Sequence, residues 1–292
     1  MTVIFFVVRE PLTEEPRLMR LQIHHITRYH YDDSVFLEPH YLNFYPHQRS
    51  YLQVEAFDLK VDPAPSGLFP LLNIENTLQY QCWFDKKVKC LEISASIKVH
   101  STEFNPFGFF IDMNVLEINS QEHFGYLTIK QPISPEMQAM LLPYTSLPSN
   151  ELLTPVNEIL QLINKHWDYA ARYAEDIHEP SDCFQRKNGS CRDLSWMMII
   201  MLRYLGIPAR FVSGYAFNPE LGEGHELHAW VEFMAPGAGW IGADPSAGIF
   251  TNEAYIPVAA SKDPKKTLPV YGSYRGKVSS RLETEVKITE QK

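Results

Sequence analysis

Residues 188–215 read NGSCRDLSWMMIIMLRYLGIPARFVSGY. The part from Cys191 to Leu205 is apolar on nearly every side, which predicts a helix at the centre of a core. Gly206 and Pro208 are typical helix stop signals, and the residues after them follow a strand pattern. This stretch therefore predicts a cysteine at the first turn of a buried helix that leads into a sheet.

The flanking sequence predicts helices before this cysteine and strands after it. Upstream, PEMQAMLLPY (135–144) opens a helical stretch, and residues 154–174 carry apolar residues at helical spacing. Downstream, HAWVEFM (228–234) and GWIGADP (239–245) have the pattern of successive strands. We expect a core built from helices and an antiparallel sheet.

The N-terminal part of the chain has a β pattern. Apolar and polar residues alternate in LQIHHITRYHY (21–31), YLQVEAFDLKV (51–61) and KCLEISASIKV (89–99), with Pro, Gly, Asn and Asp clusters between them. Several short strands without a helical pattern among them are typical of a sandwich or barrel. We predict an α+β chain whose N-terminal domain is an antiparallel β-sandwich.

The change of pattern near residue 130 sets the predicted domains. Residues 1–19 are interpreted as an N-terminal extension that ends at a second methionine, residues 20–130 as the β-rich domain and residues 131–292 as the catalytic core. The apolar run VIFFVV (3–8) lacks a positive segment before it and a small-residue cleavage site after it, so a signal peptide is not expected.

Composition and charge narrow the class of protein. Of the 292 residues, 45% are hydrophobic and 21% charged, which is typical of a globular protein. The net charge of −9 disfavours nucleic-acid binding, since that depends on basic contacts to phosphates. No apolar run reaches the length of a membrane span. We expect a soluble, cytoplasmic protein that binds neither nucleic acid nor membranes.

Four cysteines occur, at positions 82, 90, 183 and 191. Their spacing fits neither a zinc ribbon nor a redox motif. Cys82 and Cys90 could form an oxidised pair, but four cysteines in a chain of this length do not make a disulfide scaffold. A reducing compartment is therefore expected.

Cys191 is the candidate nucleophile. A helix N-terminus favours the thiolate, and the Cys191 amide could face a developing oxyanion. Gly189 is expected to let the backbone turn sharply and approach a substrate. The alternative is a small, inert core residue, since free cysteines are commonly buried.

His228 and Asp244 supply the other two roles of an activated nucleophile. His228 lies on a predicted strand, which is a rigid mount for a general base. Asp244 ends the next predicted strand, where its carboxylate could accept the imidazole N–H and fix the tautomer. Trp167 and Tyr169 are further candidates to donate a hydrogen bond to the oxyanion, with a packed helix face as the alternative for both.

Other site types are set aside. His225 and His228 in HELH are three residues apart on a strand pattern, whereas H-E-x-x-H zinc sites place their histidines four apart on a helix. The serines lack a G-x-S-x-G elbow, and the chain has no phosphate-binding G-x-x-x-x-G-K-[ST] loop. Neither a metal nor another cofactor is expected.

Three of these blocks resemble the transglutaminase-like superfamily in its bacterial branch, in the order and spacing of that family. They are residues 188–215, HAWVEF (228–233) and GWIGADPS (239–246). The resemblance extends to residues 255–276, which are similar to the segment after the catalytic blocks. It also includes IHHITRYHYDDSV and LEPHYLNFYPH, which are similar to the β-rich domain that precedes such cores.

The resemblance implies a papain-like α+β core with Cys191 as nucleophile, His228 as base and Asp244 as the third member. It assigns supporting roles to Asp193 and Trp230. Residues 254–258 (AYIPV) depart from the acidic or His-containing stretch common in the family, and we expect this to alter the substrate rim rather than the chemistry.

The predicted function is cysteine-dependent acyl transfer on a peptide or protein substrate. Many members of this branch are regarded as proposed cysteine proteases, and hydrolysis of peptide or amide bonds is favoured. The acyl-enzyme could instead be resolved by an amine, which would give transamidation. A binding module that keeps the fold without turnover is the alternative outside enzymes. Substrate identity, oligomeric state and the role of the N-terminal domain stay open.

Overall fold

The computed structural model describes residues 18–112, 123–146, 151–172, 176–220 and 227–291. The strands, in chain order, are β1 (Leu18–Leu37), β2 (His40–Leu42), β3 (Leu52–Asp62), β4 (Gly67–Leu72), β5 (Leu78–Trp83), β6 (Lys87–Thr102), β7 (Asp168–Tyr169), β8 (Asn188–Gly189), β9 (Ala209–Ala216), β10 (Leu227–Ala235), β11 (Gly239–Asp244), β12 (Ile249–Phe250), β13 (Tyr255–Ser261), β14 (Val270–Tyr271), β15 (Tyr274–Arg275) and β16 (Ser280–Gln291). The helices are α1 (Phe124–Leu127), α2 (Pro135–Leu141), α3 (Leu153–His166), α4 (Pro180–Arg186) and α5 (Cys191–Tyr204). The α+β prediction is confirmed.

Two antiparallel sheets form the N-terminal part, here called the N-terminal sandwich. In one sheet, β1 lies between β6 and the pair β15 and β16, and β3 pairs with the far side of β6. The other sheet has the order β14-β2-β5-β4. Alternate side chains of β1, such as Leu21 and Ile23, share one apolar core with Leu42 of the second sheet. The period-two pattern of the sequence is thus the side-chain alternation that fills this core.

The end of the chain belongs to the sandwich, which corrects the predicted domain division at 131–292. Strand β16 pairs antiparallel with β1 from Arg20↔Gln291 to Tyr31↔Ser280. β16 is polar apart from a few residues such as Val286 and Ile288, so the sequence offers little signal for where it pairs. At the other end, β1 begins before residue 20, and residues 1–17 of the predicted extension lie outside the described part.

The rest of the described chain, here called the core, has the predicted helix and sheet order. Its antiparallel sheet runs β12-β11-β10-β9-β13, and α5 packs against β9 and β10. The side chains of α5 from Met197 to Leu202 are all buried, as expected for a central helix. None of the helices within the described ranges is long and apolar enough to cross a membrane.

One helix is shorter than predicted. The apolar spacing over residues 154–174 suggested a helix over the whole stretch, but α3 ends at His166. Trp167 adopts an extended conformation, and the chain continues as β7, which pairs in parallel with β8 just before Cys191. Pairing with β8 satisfies the backbone groups that a longer helix would have used.

The sandwich and the core share a polar contact as well as apolar packing. Glu232 of β10 is buried and forms ion pairs with Arg49, from the sandwich side, and with Arg210 of β9. Burial alone would raise the pKa of Glu232, but the two guanidinium groups lower it to about 2. Tyr215, Ile256 and other apolar residues of the core sheet pack into the sandwich interior.

Candidate active site

Cys191 is the first residue of α5, and a capping box fixes this helix end. Ser190 is the N-cap, and its backbone N–H and hydroxyl donate to the Asp193 carboxylate at 2.9 and 2.7 Å. The backbone N–H of His178 adds a third bond to Asp193, at 2.7 Å. Burial would raise the pKa of Asp193, but these donors hold it below its ordinary value. A buried carboxylate thus organises the loop that presents Cys191.

Gly189 is required by packing, which differs from the predicted role. A Cβ at this position would lie 2.9 Å from Cβ of Asp193 and 3.2 Å from Sγ of Cys183. Both atoms belong to buried side chains. Gly189 therefore lets β8 pass closely over the capping box and does not supply a sharp turn at the substrate.

His228 lies on β10 between the other two predicted residues. Its Nε2 donates to Oδ2 of Asp244, on the neighbouring strand β11, at 2.6 Å. The Cys191 side chain lies close enough to the His228 ring to contribute to the raised pKa of His228. Because Nε2 is occupied by Asp244, Nδ1 is the ring nitrogen left to face Cys191. The structure thus brings together all three residues that the sequence predicted.

The electrostatics favour a charged imidazole. Burial opposes protonation of His228, but the charge and hydrogen bond of Asp244, with a contribution from Cys191, raise the pKa of His228 above its usual range. Conversely, burial would raise the pKa of Asp244, whereas His228, Ser246 and Tyr255 together lower it. Both shifts favour an imidazolium paired with the Asp244 carboxylate, beside the Cys191 sulfur.

Asp244 is 1% exposed, and both of its oxygens are hydrogen-bonded. Oδ1 accepts the backbone N–H of Ser246 at 2.9 Å and its hydroxyl at 2.7 Å. Oδ2 accepts the Tyr255 hydroxyl at 2.8 Å in addition to His228. These bonds fix the carboxylate in one orientation, which in turn orients the imidazole.

The Trp230 ring lies next to the His228 ring. It is 1% exposed, its ring stacks at 6.4 Å from that of His228, and it meets the Tyr255 ring edge-on at 5.3 Å. The His228 ring is thus bordered by two aromatic side chains.

The two candidate oxyanion donors, Trp167 and Tyr169, differ in their exposure and hydrogen bonding. The indole N–H of Trp167 donates to the backbone carbonyl of Cys183 at 3.2 Å, and the ring is 5% exposed, so this donor is engaged in the core and the prediction for Trp167 is wrong. Tyr169 is 53% exposed and lines the same cleft as His228. The packed-face alternative therefore fits Trp167 and not Tyr169.

Two pockets meet at His228. The larger is an open cleft of about 460 Å³, lined by His228 and Asp244 together with Phe217, Asn218, Ile249, Asn252 and others. The smaller, of about 40 Å³, lies between Arg192, Leu227, Pro269 and neighbouring residues. His228 therefore borders both the open cleft and a small neighbouring cavity.

The described ranges contain neither a metal-binding cluster nor a disulfide. Within them, no group of three or more His, Cys, Asp and Glu residues is arranged to hold a metal ion. His225 of the HELH sequence lies outside those ranges. The thiols of all four cysteines are free, so Cys82 and Cys90 do not form the disulfide that their spacing allowed.

Comparison with known families agrees with this geometry. The transglutaminase-like superfamily core matches residues 139–245, which include Cys191, His228 and Asp244. The bacterial transglutaminase-like N-terminal region matches residues 21–100. The chain belongs to the transglutaminase-like superfamily.

Individual relatives of this superfamily member match shorter stretches. An uncharacterized protein of Mycobacterium leprae is 34% identical over 114 residues, which are 37% of this chain and 40% of that protein. The protein-glutamine gamma-glutamyltransferase of Pseudomonas aeruginosa is 39% identical over 70 residues, 22% of this chain and 10% of that protein. The chain thus spans less than half of the length of these relatives.

A solved structure shares the fold over nearly the whole chain. It is that of a proposed cysteine protease from Cytophaga hutchinsonii, with a TM-score of 0.73 over 94% of this chain and 92% of that one. The sequences are 18% identical, so this similarity concerns the fold.

Two residues of this transglutaminase-like site were missed by sequence reasoning. Ser246 follows Asp244 in Asp-Pro-Ser, where an Asp side chain commonly bonds the backbone two residues on, so a local signal existed. Tyr255 lies in the segment that was expected to shape the substrate rim, yet its hydroxyl bonds Asp244. Ala254 and Tyr255 do line the larger pocket, and the β13 to β9 pairing also brings the Tyr255 hydroxyl to Asp244.

Proposed function

We propose that this chain is a cysteine-dependent acyl-transfer enzyme that hydrolyses peptide or amide bonds. The observation that supports this most strongly is the position of His228, which is hydrogen-bonded to the Asp244 carboxylate and lies close enough to the Cys191 side chain for Cys191 to raise its pKa. This is the arrangement in which a base activates a nucleophile and a third group orients the base.

The reaction begins from the ion pair in which the Cys191 sulfur is a thiolate and its proton is held on Nδ1 of His228. The sulfur attacks the substrate carbonyl carbon, and the carbonyl electrons move to oxygen. Backbone N–H groups at the start of α5 would stabilise that oxyanion, with Tyr169 as a second candidate donor. The imidazolium then gives its proton to the leaving amine, the C–N bond breaks, and a thioester remains on Cys191.

Water is the acceptor that fits the lining of the pockets best. Among the described residues that line them, Asp244 is the single carboxylate, and its oxygens are already bonded to His228, Tyr255 and Ser246. A lysine side chain that approached as an ammonium would therefore find no unpaired carboxylate in these pockets. Arg192, which lines the smaller pocket, would repel it. Water needs no such charge. His228 would deprotonate it for attack on the thioester.

Transamidation is the second candidate. It is favoured by the 70-residue similarity to a protein whose name describes glutamine γ-glutamyl transfer. In that case a primary amine, rather than water, attacks the thioester and forms a new amide bond.

The substrate we propose is a peptide or protein segment with uncharged side chains at the cleft. Apolar residues such as Phe217, Pro219 and Ile249 line the larger pocket beside the amides of Asn218 and Asn252. The net charge of −9 argues against a nucleic-acid partner. We further propose that the N-terminal sandwich presents the substrate or a partner across the cleft, that the enzyme works without a cofactor, and that it acts in the cytoplasm.

A peptide library tests this proposal when it is incubated with the full chain, with and without a primary amine. Mass spectrometry then separates cleaved, deamidated and cross-linked products. We expect cleavage or deamidation that disappears in Cys191→Ala and persists in Cys90→Ser, because Cys90 is a partly exposed thiol of the sandwich. Cross-linked products that dominate would favour transamidation. Peptide retention without any product would contradict the enzyme proposal and favour the binding module.

A further inference from the structure

We propose that Tyr255 is a positioning residue. Its hydroxyl bonds the Asp244 carboxylate and thereby weakens the attraction between that carboxylate and the protonated His228 ring. The inference rests on the proposed function, because it takes Cys191, His228 and Asp244 as the reacting groups. It concerns a residue outside the three sequence blocks that identify the family.

Tyr255 and His228 share one carboxylate oxygen. Oδ2 of Asp244 accepts both the Tyr255 hydroxyl, at 2.8 Å, and the His228 Nε2–H, at 2.6 Å. Oδ1 is taken by Ser246, so the hydroxyl does not simply fill an empty acceptor site on the far side of the carboxylate. The Tyr255 ring is buried and packs edge-on against Trp230, which fixes where the hydroxyl points.

The N-terminal sandwich holds the segment that carries Tyr255. The hydroxyl of Tyr51 donates to the backbone carbonyl of Tyr255 at 3.2 Å, and the hydroxyl of Ser101 donates to the carbonyl of Glu253 at 2.8 Å. The Tyr255 backbone N–H is bonded to the carbonyl of Asn252 at 3.1 Å. The backbone N–H and carbonyl of Tyr255 are therefore both hydrogen-bonded. Through Tyr51 and Ser101, the sandwich helps to place the Tyr255 hydroxyl at Asp244.

Two donors on one oxygen divide its charge. A carboxylate that already accepts a hydroxyl proton is less basic and attracts an imidazolium less strongly than one that accepts a single donor. This matters for catalysis, since His228 must release its proton to the leaving amine. An imidazolium that is stabilised too strongly is a poor general acid. The Tyr255 hydroxyl thus keeps His228 able to donate, while Asp244 still orients it.

Tyr255→Phe removes the hydroxyl and keeps the ring. Tyr126→Phe is the matched control, because the Tyr126 hydroxyl also donates to a carboxylate, that of Glu75, and its ring also packs edge-on against a tryptophan, Trp240. Tyr126 makes no contact with the triad. The side-chain nitrogen resonances of His228, followed by NMR against pH in the full chain, report its protonation directly.

In Tyr255→Phe we expect the His228 titration midpoint to rise by about 0.5–1 pH unit, the range for loss of one ordinary hydrogen bond. It should stay unchanged in Tyr126→Phe. With a cleavable substrate, kcat should also fall in Tyr255→Phe, most strongly for poor leaving groups that depend on proton donation. A midpoint that is unchanged or lower in Tyr255→Phe would overturn the inference.

The titration needs no substrate, so the two proposals can fail separately. If Cys191 forms no acyl-enzyme while the midpoint rises, the proposed function is wrong and the coupling of Tyr255 to His228 stands. If the acyl-enzyme forms and the midpoint does not move, the enzyme proposal stands and Tyr255 is a packing residue.

Discussion

His228 and Asp244 lie on adjacent antiparallel strands, and a 2.6 Å hydrogen bond joins Nε2 of the one to Oδ2 of the other. The bond is nearly shielded from solvent, since the side chains are 20% and 1% exposed. A charged pair in such an environment is held in one geometry, and it leaves Nδ1 as the ring nitrogen that is not bonded to Asp244. The mechanistic account depends on this bond.

Selective alkylation should identify Cys191 as the reactive thiol. Cys183 is its nearest cysteine along the chain, but burial, together with the charge of Asp193, raises the pKa of Cys183 to about 12. Iodoacetamide at neutral pH should therefore label Cys191 well before Cys183, as read by peptide mass spectrometry. Denatured protein, in which the cysteines react alike, is the control. Faster labelling of Cys183 in the folded chain would refute the assignment.

The stability contributed by the His228–Asp244 pair should depend on pH in two directions. The lowered pKa of Asp244 means that its contribution is present above the ordinary carboxyl value, about 4, and is lost as the pH falls. The raised pKa of His228 means that its contribution is complete below the ordinary value, about 6.5, and fades as the pH rises toward the folded value. The pair should therefore stabilise the fold most between about pH 4 and 6.5.

Urea unfolding of the native chain and of Asp244→Asn measures this contribution. The difference in unfolding free energy between the two should be larger at pH 5.5 than at pH 3 or pH 9. Other titrating groups cancel in the comparison because both proteins contain them. A difference that is constant across this range would show that the pair is not charged in the folded state.

Loss of the Glu232 charge should destabilise the contact between the sandwich and the core. Glu232→Gln leaves the buried guanidinium groups of Arg49 and Arg210 without their counter-charge, and such a change typically costs about 3–5 kcal/mol. Urea denaturation measures the loss. Glu283→Gln, which removes a half-exposed ion pair with Arg281, should have little effect. Equal, small effects of the two substitutions would contradict this role of Glu232.

Activity should not depend on a metal ion. The proposed mechanism uses a thiolate, an imidazole and backbone N–H groups, none of which needs a Lewis acid. Turnover measured after dialysis against EDTA should equal that of untreated enzyme, with Cys191→Ala as the inactive reference. Loss of turnover that zinc or calcium restores would refute the prediction.

The parts of this site that the sequence predicted are those with local signals. A helix stop at Gly206, the strand patterns of residues 209–216 and 227–235, and the placement of Cys191 at a helix start follow from spacing over a few residues. The resemblance to a known family then joined His228 and Asp244 to Cys191. Local pattern and family motif agree here, and the structure brings the three side chains together.

The parts that were missed depend on contacts between distant segments. Tyr255 reaches Asp244 because β13 pairs with β9, and Tyr51 reaches Tyr255 from the sandwich. Neither pairing leaves a periodic trace in the sequence. The polar strand β16 likewise carries too few apolar residues to reveal its partner. Trp167 failed as an oxyanion donor for the same reason, since its partner is a backbone carbonyl of α4.

The central claim is that Cys191 forms a thioester with help from His228 and Asp244, and intact-protein mass spectrometry after acid quenching tests it most directly. With an activated peptide ester, the native chain should gain one acyl group on Cys191 in a rapid burst. Asp244→Asn should fold but acylate about 10³–10⁴-fold more slowly, because the imidazole loses its fixed tautomer, whereas Asp58→Asn, an exposed site on β3, should match the native rate. Cys191→Ala should gain no acyl group. Acylation that persists in Cys191→Ala, or that proceeds at the native rate in Asp244→Asn, would contradict the account.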